Sequence, residues 1–144
     1  MGSEILKSPQ VTLVTGVAAL LTGTMNTGET VATLAGGMYA DLVLTGAFAA
    51  AVAINKSIHV YRRDLNIDGT ADAPLPVVAD GTNDYEHKYL CSFDVVPNTT
   101  APQSIHREGV FVPNDCELYL KNDTGQTLNL GYTLKATPWT WSYV

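Results

Sequence analysis

The residues with the clearest potential for chemistry lie in the stretch RRDLNIDGTADAP, residues 62–74. With Asp64 at the first position of an EF-hand-type loop, Asn66, Asp68, Gly69, Thr70 and Asp72 fall at the third, fifth, sixth, seventh and ninth. Calcium takes hard oxygen ligands, and this spacing supplies several from one loop. The twelfth position, which needs a bidentate Glu, is Leu75, and the flanks read as a strand (SIHVYRR) and a proline-containing exit with Pro74 and Pro76. Asp, Asn and Gly also build ordinary connections between strands, because Asx side chains bond their own backbone and Gly accepts positive φ. Arg62 and Arg63 stand beside the acids and can neutralise them without metal. The stretch therefore reads as a structural loop with no metal. A calcium site on Asp64, Asn66, Asp68 and Asp72 is the alternative.

No catalytic motif accompanies it. His59, His87 and His106 occur singly, without the HxH or HExxH spacing of a metal site. Ser57-x-His59 and Ser104-x-His106 each place a hydroxyl and an imidazole on one strand face, which any two residues two apart do. A nucleophilic Cys91 needs a histidine that the sequence cannot place. GxSxG, the P-loop and the dinucleotide fingerprint are all missing from the sequence. The reading is a non-enzyme without a cofactor, although triads assembled from distant positions are invisible at this level.

The elements that would position these residues follow from composition and pattern. The chain has 144 residues, enough for one domain with a real core, and its 46% hydrophobic and 15% charged residues are ordinary for a folded chain. A net charge of −6 argues against nucleic acid as partner. Between Ser8 and Asn55 the only charged side chains are Glu29 and Asp41, so this stretch either enters the core or lies against another protein. MGSEILKSPQ lacks the apolar region of a secretory signal. The most apolar piece, residues 42–54, is shorter than the roughly 20 residues of a membrane span. Cys91 and Cys116 read as two separate buried thiols, with a disulfide as the alternative. The sequons at Asn98 and Asn122 read as turn residues.

Period-two alternation marks strands in residues 11–16, 30–35, 40–48, 57–65, 88–96 and 104–112. Residues 88–96 put Tyr89, Cys91, Phe93 and Val95 on one face, and AFAAAVAINK offers a short helix as alternative to strand. Cys116, Leu118 and Leu120, the turn NDTGQ, then Leu128, Leu130, Tyr132, Leu134 and Ala136 read as a hairpin with one buried face. After Pro138 the apolar phase changes, and Trp139, Trp141 and Tyr143 share a face. A bulge at the proline would return them to the core; without one they point away from it and can serve as contact anchors. About eight or nine short strands predict an all-β, single antiparallel β-sandwich over residues 1–144, with 1–38 as a poorly charged arm or edge strands.

The small acidic β domain, the Ala/Thr/Gly-rich first third, the segment VYRRDLNIDGTADAP and the close LNLGYTLKATPWTWSYV together resemble the head decoration, or cement, proteins of tailed bacteriophages. The resemblance is one of general character over the whole chain. It implies a jelly-roll-like sandwich with a non-enzymatic role on the outer surface of the virion head. Such a protein acts as a homo-oligomer, dimer or trimer, that bridges major capsid protein subunits, with no membrane or nucleic-acid partner. The contact residues on this reading are Val11, Leu13, Leu20 and Met25 of the poorly charged stretch, with Trp139, Trp141 and Tyr143. A carbohydrate-binding or tail-fibre module, with Trp139 and Trp141 stacking on sugar rings, is the alternative from another class. A minor tail or connector protein is the third.

Overall fold

A computed structural model describes residues 2–26, 29–31, 39–64, 89–112 and 116–143. Nine strands are formed among the described residues: β1 (Ser3–Lys7), β2 (Val11–Thr15), β3 (Glu29–Val31), β4 (Tyr39–Gly46), β5 (Ser57–Asp64), β6 (Tyr89–Asp94), β7 (Gln103–Phe111), β8 (Cys116–Asn122) and β9 (Thr133–Tyr143). All pairings are antiparallel. One sheet runs β1-β9-β4-β7, with β2 also on β9, and the other runs β3-β8-β5-β6. Consecutive strands from β2 to β9 alternate between the sheets except at β5–β6, which is the winding of a jelly roll. The sandwich is thus as expected. No helix occurs among the described residues, and residues 47–56 are extended or bent, not the short helix held as alternative.

The core is built by alternation. Leu42 and Leu44, Ile58 and Val60, Cys91 and Phe93, Leu118 and Leu120, and Leu134 and Ala136 all point between the sheets and are buried. Burial of the Leu, Ile, Val and Phe side chains among these contributes about 1.5–3 kcal/mol each. Val14, Leu20, Phe48 and Val52 join the same cluster, which explains the low charge of the first third. The described residues of that third form edge strands: β1 and β2 lie end to end along one side of β9, and β3 edges the other sheet. Met25 bridges Lys121, and Asn26 exchanges hydrogen bonds with Leu120, so residues 24–26 continue along β8. Cys91 and Cys116 are both buried free thiols, as expected.

Two expectations need correction. The strands either side of NDTGQ are not a hairpin, because β8 belongs to one sheet and β9 to the other. Residues 123–132 form an arch between sheets, pinned where Leu128 bridges both Leu20 and Phe48. Leu130, expected on the buried face, is exposed at the tip beside Gly131, whose φ is +88°. Tyr89 likewise leaves the face of Cys91 and Phe93. The register between β5 and β6 shifts between Val60 and Tyr61, and the bulge turns Tyr89 to the outside.

Candidate functional site

β9 runs through Pro138 without a break in its register to β4, from Thr45↔Thr133 to Tyr39↔Trp139. The missing N–H is tolerated for a local reason. Ser8 N–H donates to the Pro138 carbonyl, and a strand residue aims its N–H and C=O to the same side. That side faces the connection between β1 and β2, where the ladder is already interrupted. With no bulge at Pro138, the inward row ends with Leu134, Ala136 and Pro138, and Trp139, Trp141 and Tyr143 occupy the opposite, outward face.

This outer face is the candidate site. Cross-strand pairing aligns Lys7 with Trp139, Ile5 with Trp141, and Ser3 with Tyr143. Tyr39 stacks on Trp139 with ring centroids 5.2 Å apart, Phe111 meets Tyr39 edge-on at 5.7 Å, and Trp141 meets Trp139 edge-on at 5.9 Å. The strip ends in open solvent, with Trp141 56% and Tyr143 90% exposed. Among the described residues, positions 140–143 of β9 pair with β1 alone, so the two strands form a ribbon beyond the first residue of β4. A two-stranded ribbon is marginal by itself, and this one exposes Ile5 and Leu6 as well as its aromatics.

A polar group anchors the strip. The Asp41 carboxylate accepts from Lys7 Nζ at 2.7 Å, from the Gly109 N–H at 3.1 Å and from the Trp139 indole N–H at 3.2 Å. Gly109 sits in a bulge of β7 opposite Asp41, at φ +66°, a conformation glycine adopts without strain. Partial burial pushes the Asp41 carboxyl up, but the Lys7 hydrogen bond, the Gly109 N–H, the Lys7 charge and the indole together hold it below the usual carboxylate range. The same hydrogen bond and charge raise the Lys7 ammonium above its ordinary value. Ile5, Lys7, Asp41, Glu108, Gly109 and Trp139 line a shallow recess beside the strip.

The sequence candidates divide clearly. Trp139, Trp141 and Tyr143 come together on the outer face, and Val11 and Leu13 are half-buried on β2 against the core. Leu20 and Met25 are only 3% and 2% exposed, so both serve the chain's own interior and drop out as contact residues. Asp64 is the last residue of β5, whereas Asn66, Asp68 and Asp72 lie outside the described residues, as does His87. No group of three or more His, Cys, Asp or Glu able to hold a metal occurs among the described residues.

Neither Ser-x-His pair is a working pair. Ser57 donates to Asp94, and Ser104 shares a hydrogen bond with Thr45. His59 instead contacts Ser92 on β6 and Asp123 after β8, an arrangement with no local signal in the sequence. Tyr39, Phe111 and Asp41 were also missed as parts of the aromatic strip, since only strand order brings them beside Trp139. No family model, curated protein or solved structure matches this chain.

Proposed function

We propose that this protein is a structural virion component that binds the outside of a tailed-phage head and braces contacts between major capsid protein subunits. One observation carries the reading: the sandwich presents a continuous outward aromatic strip, Phe111–Tyr39–Trp139–Trp141, in which Phe111, Tyr39 and Trp141 are exposed and Trp139 is half-buried between them. Tyr and Trp are favoured interface anchors because they bury large area at low conformational cost. The β1–β9 ribbon adds an edge that another chain can extend by strand pairing. The acidic balance keeps free subunits apart before assembly. Assembly as a dimer or trimer multiplies weak contacts over a repetitive shell.

The test is copy number in gradient-purified particles, measured against the most abundant shell protein. A near-stoichiometric ratio supports decoration of the head, a few copies indicate a tail or connector part, and absence from particles overturns the virion reading. Trp141→Ala and Tyr143→Ala then separate binding from folding. Both side chains are largely solvent-exposed, so stability should change by no more than about 0.5 kcal/mol while shell binding falls.

A carbohydrate-binding reading is favoured by a different observation, the recess where Trp139 adjoins Lys7, Asp41 and Glu108. Sugar sites combine an aromatic platform with a few polar groups. Saturable quenching of tryptophan fluorescence by glycans, lost in Trp141→Ala, would select it over shell binding.

A further inference from the structure

The outer face of the second sheet carries a hydrogen-bonded chain unconnected with the aromatic strip. His59 Nδ1 lies 2.6 Å from Ser92 Oγ, and His59 Nε2 lies 3.2 Å from Asp123 Oδ2. Tyr89 Oη lies 2.7 Å from the same Ser92 oxygen, and Lys121 Nζ lies 3.7 Å from Asp123 Oδ2. Tyr61 completes the surroundings, with ring centroids 6.4 Å from His59 and 6.0 Å from Tyr89.

The backbone explains the close approach. Val95 N–H donates to the Lys56 carbonyl, which makes that pair a hydrogen-bonded one, and pairs alternate along an antiparallel ladder. Phe93 with Ile58 is then the next such pair, and Ser92 opposite His59 is the intervening non-bonded pair, whose side chains stand closest. The same alternation directs the Ser92 N–H away from β5, onto the outer side of β6. β6 is the last strand of its sheet among the described residues.

We infer that Ser92 is an activated hydroxyl, with His59 as its base and Asp123 as the group that positions the base, and that it accepts an acyl group from small activated esters. A carboxylate on Nε2 selects the neutral tautomer with its proton there and leaves the Nδ1 lone pair for the serine proton. Tyr89 then donates to Ser92 Oγ, Ser92 to His59 and His59 to Asp123, so every proton in the chain points one way. This is the nucleophile, base and orienting carboxylate of acyl transfer, with the two ring nitrogens exchanged relative to the familiar hydrolases.

In the step itself, Ser92 Oγ bonds to the acyl carbon as its proton passes to His59 Nδ1. The bond from that carbon to the leaving oxygen breaks, and the leaving alcoholate or phenolate takes the proton back from His59. Asp123 stabilises the transient imidazolium. The product is one acylated serine and one free alcohol, a stoichiometric modification and not turnover. Half-exposed positions on an open sheet face suit a small donor, since His59 and Asp123 side chains are 27% and 38% exposed.

The experiment uses the full chain with p-nitrophenyl acetate and peptide mapping of the acetylated sites by mass spectrometry. Ser57 and Ser104 are built-in comparators, since they are also outer-face strand serines with hydrogen-bonded hydroxyls but no imidazole partner. Ser92 should acetylate at least about tenfold faster than either, with His59→Gln reducing it to their level and Asp123→Asn falling between. Equal rates at Ser92, Ser57 and Ser104, or an unchanged Ser92 rate in a folded His59→Gln protein, would overturn the inference.

Discussion

The indole N–H of Trp139 donates to Asp41 Oδ1 across the β9–β4 pair, and Lys7 of β1 holds the other oxygen of the same carboxylate. With the Gly109 N–H from the β7 bulge, one side chain ties together all the strands that carry the aromatic strip. Trp139, with Trp141 edge-on against it, is thereby hydrogen-bonded to the carboxylate that Lys7 also holds.

Acid should loosen this arrangement. A carboxyl held below its unfolded value of about 3.9 stabilises the fold fully above that value and loses the contribution as pH falls through the lower folded value. Thermal melts across this range should show the parent losing stability below about pH 4. Asp41→Asn should melt a few degrees lower at neutral pH and show a shallower acid limb. Identical pH dependence in the two proteins would show that the carboxylate adds nothing beyond an amide.

The pattern of inward residues was legible because alternation is a local property: Ile58 and Val60, Leu118 and Leu120, and Leu134 and Ala136 announce their buried face in the chain itself. Partnership is not local. The alternation of β8 and β9 is the same whether they pair or sit in opposite sheets, so the arch read as a hairpin. One extra residue in a ladder was enough to move Tyr89 to the other face. The aromatic row after Pro138 was visible, and its direction turned on whether a bulge followed. The surroundings of Asp41 and the contacts of His59 arise from strand order alone.

Asn122 organises that arch. Its side-chain amide donates to the Leu20 and Gln126 carbonyls, both at 2.8 Å, and its oxygen accepts from the Thr124 N–H at 3.0 Å and hydroxyl at 2.6 Å. The residue is fully buried, so no water replaces these bonds when the amide is removed. Asn122→Ala should cost about 2–3 kcal/mol, with Asn122→Asp also destabilising because the donated bonds are lost and a charge is buried. Urea unfolding followed by tryptophan emission measures both. A cost under about 0.5 kcal/mol for the alanine variant would mean the arch is held by its Leu128 bridges instead.

Gly16 is required by space. A Cβ there would overlap the ring of Tyr132, which is itself buried and cannot swing out. Gly16 N–H donates to the Tyr132 carbonyl and the Gly131 N–H to the Gly16 carbonyl, so the two backbones are locked together at the root of the arch. Gly16→Ala should destabilise by about 1–3 kcal/mol. Gly2→Ala, where a Cβ meets nothing, should be neutral in the same denaturant titration.

Cys91 lies inward on β6, and burial pushes its thiol up to about 12, against a smaller opposing pull from Arg107. At neutral pH it is a protonated thiol behind a packed sheet, and the reactive thiolate is scarce for both reasons. Cys116 is equally enclosed, at 0% exposure. Native protein should therefore react with a thiol-specific disulfide reagent only at the rate of its opening, while urea-unfolded protein should release two equivalents promptly, one from each free cysteine. Destabilised variants such as Asn122→Ala should react faster in the native baseline, in proportion to their larger open population. Prompt labelling of the native parent would show that the β6 edge opens independently of the rest of the sandwich.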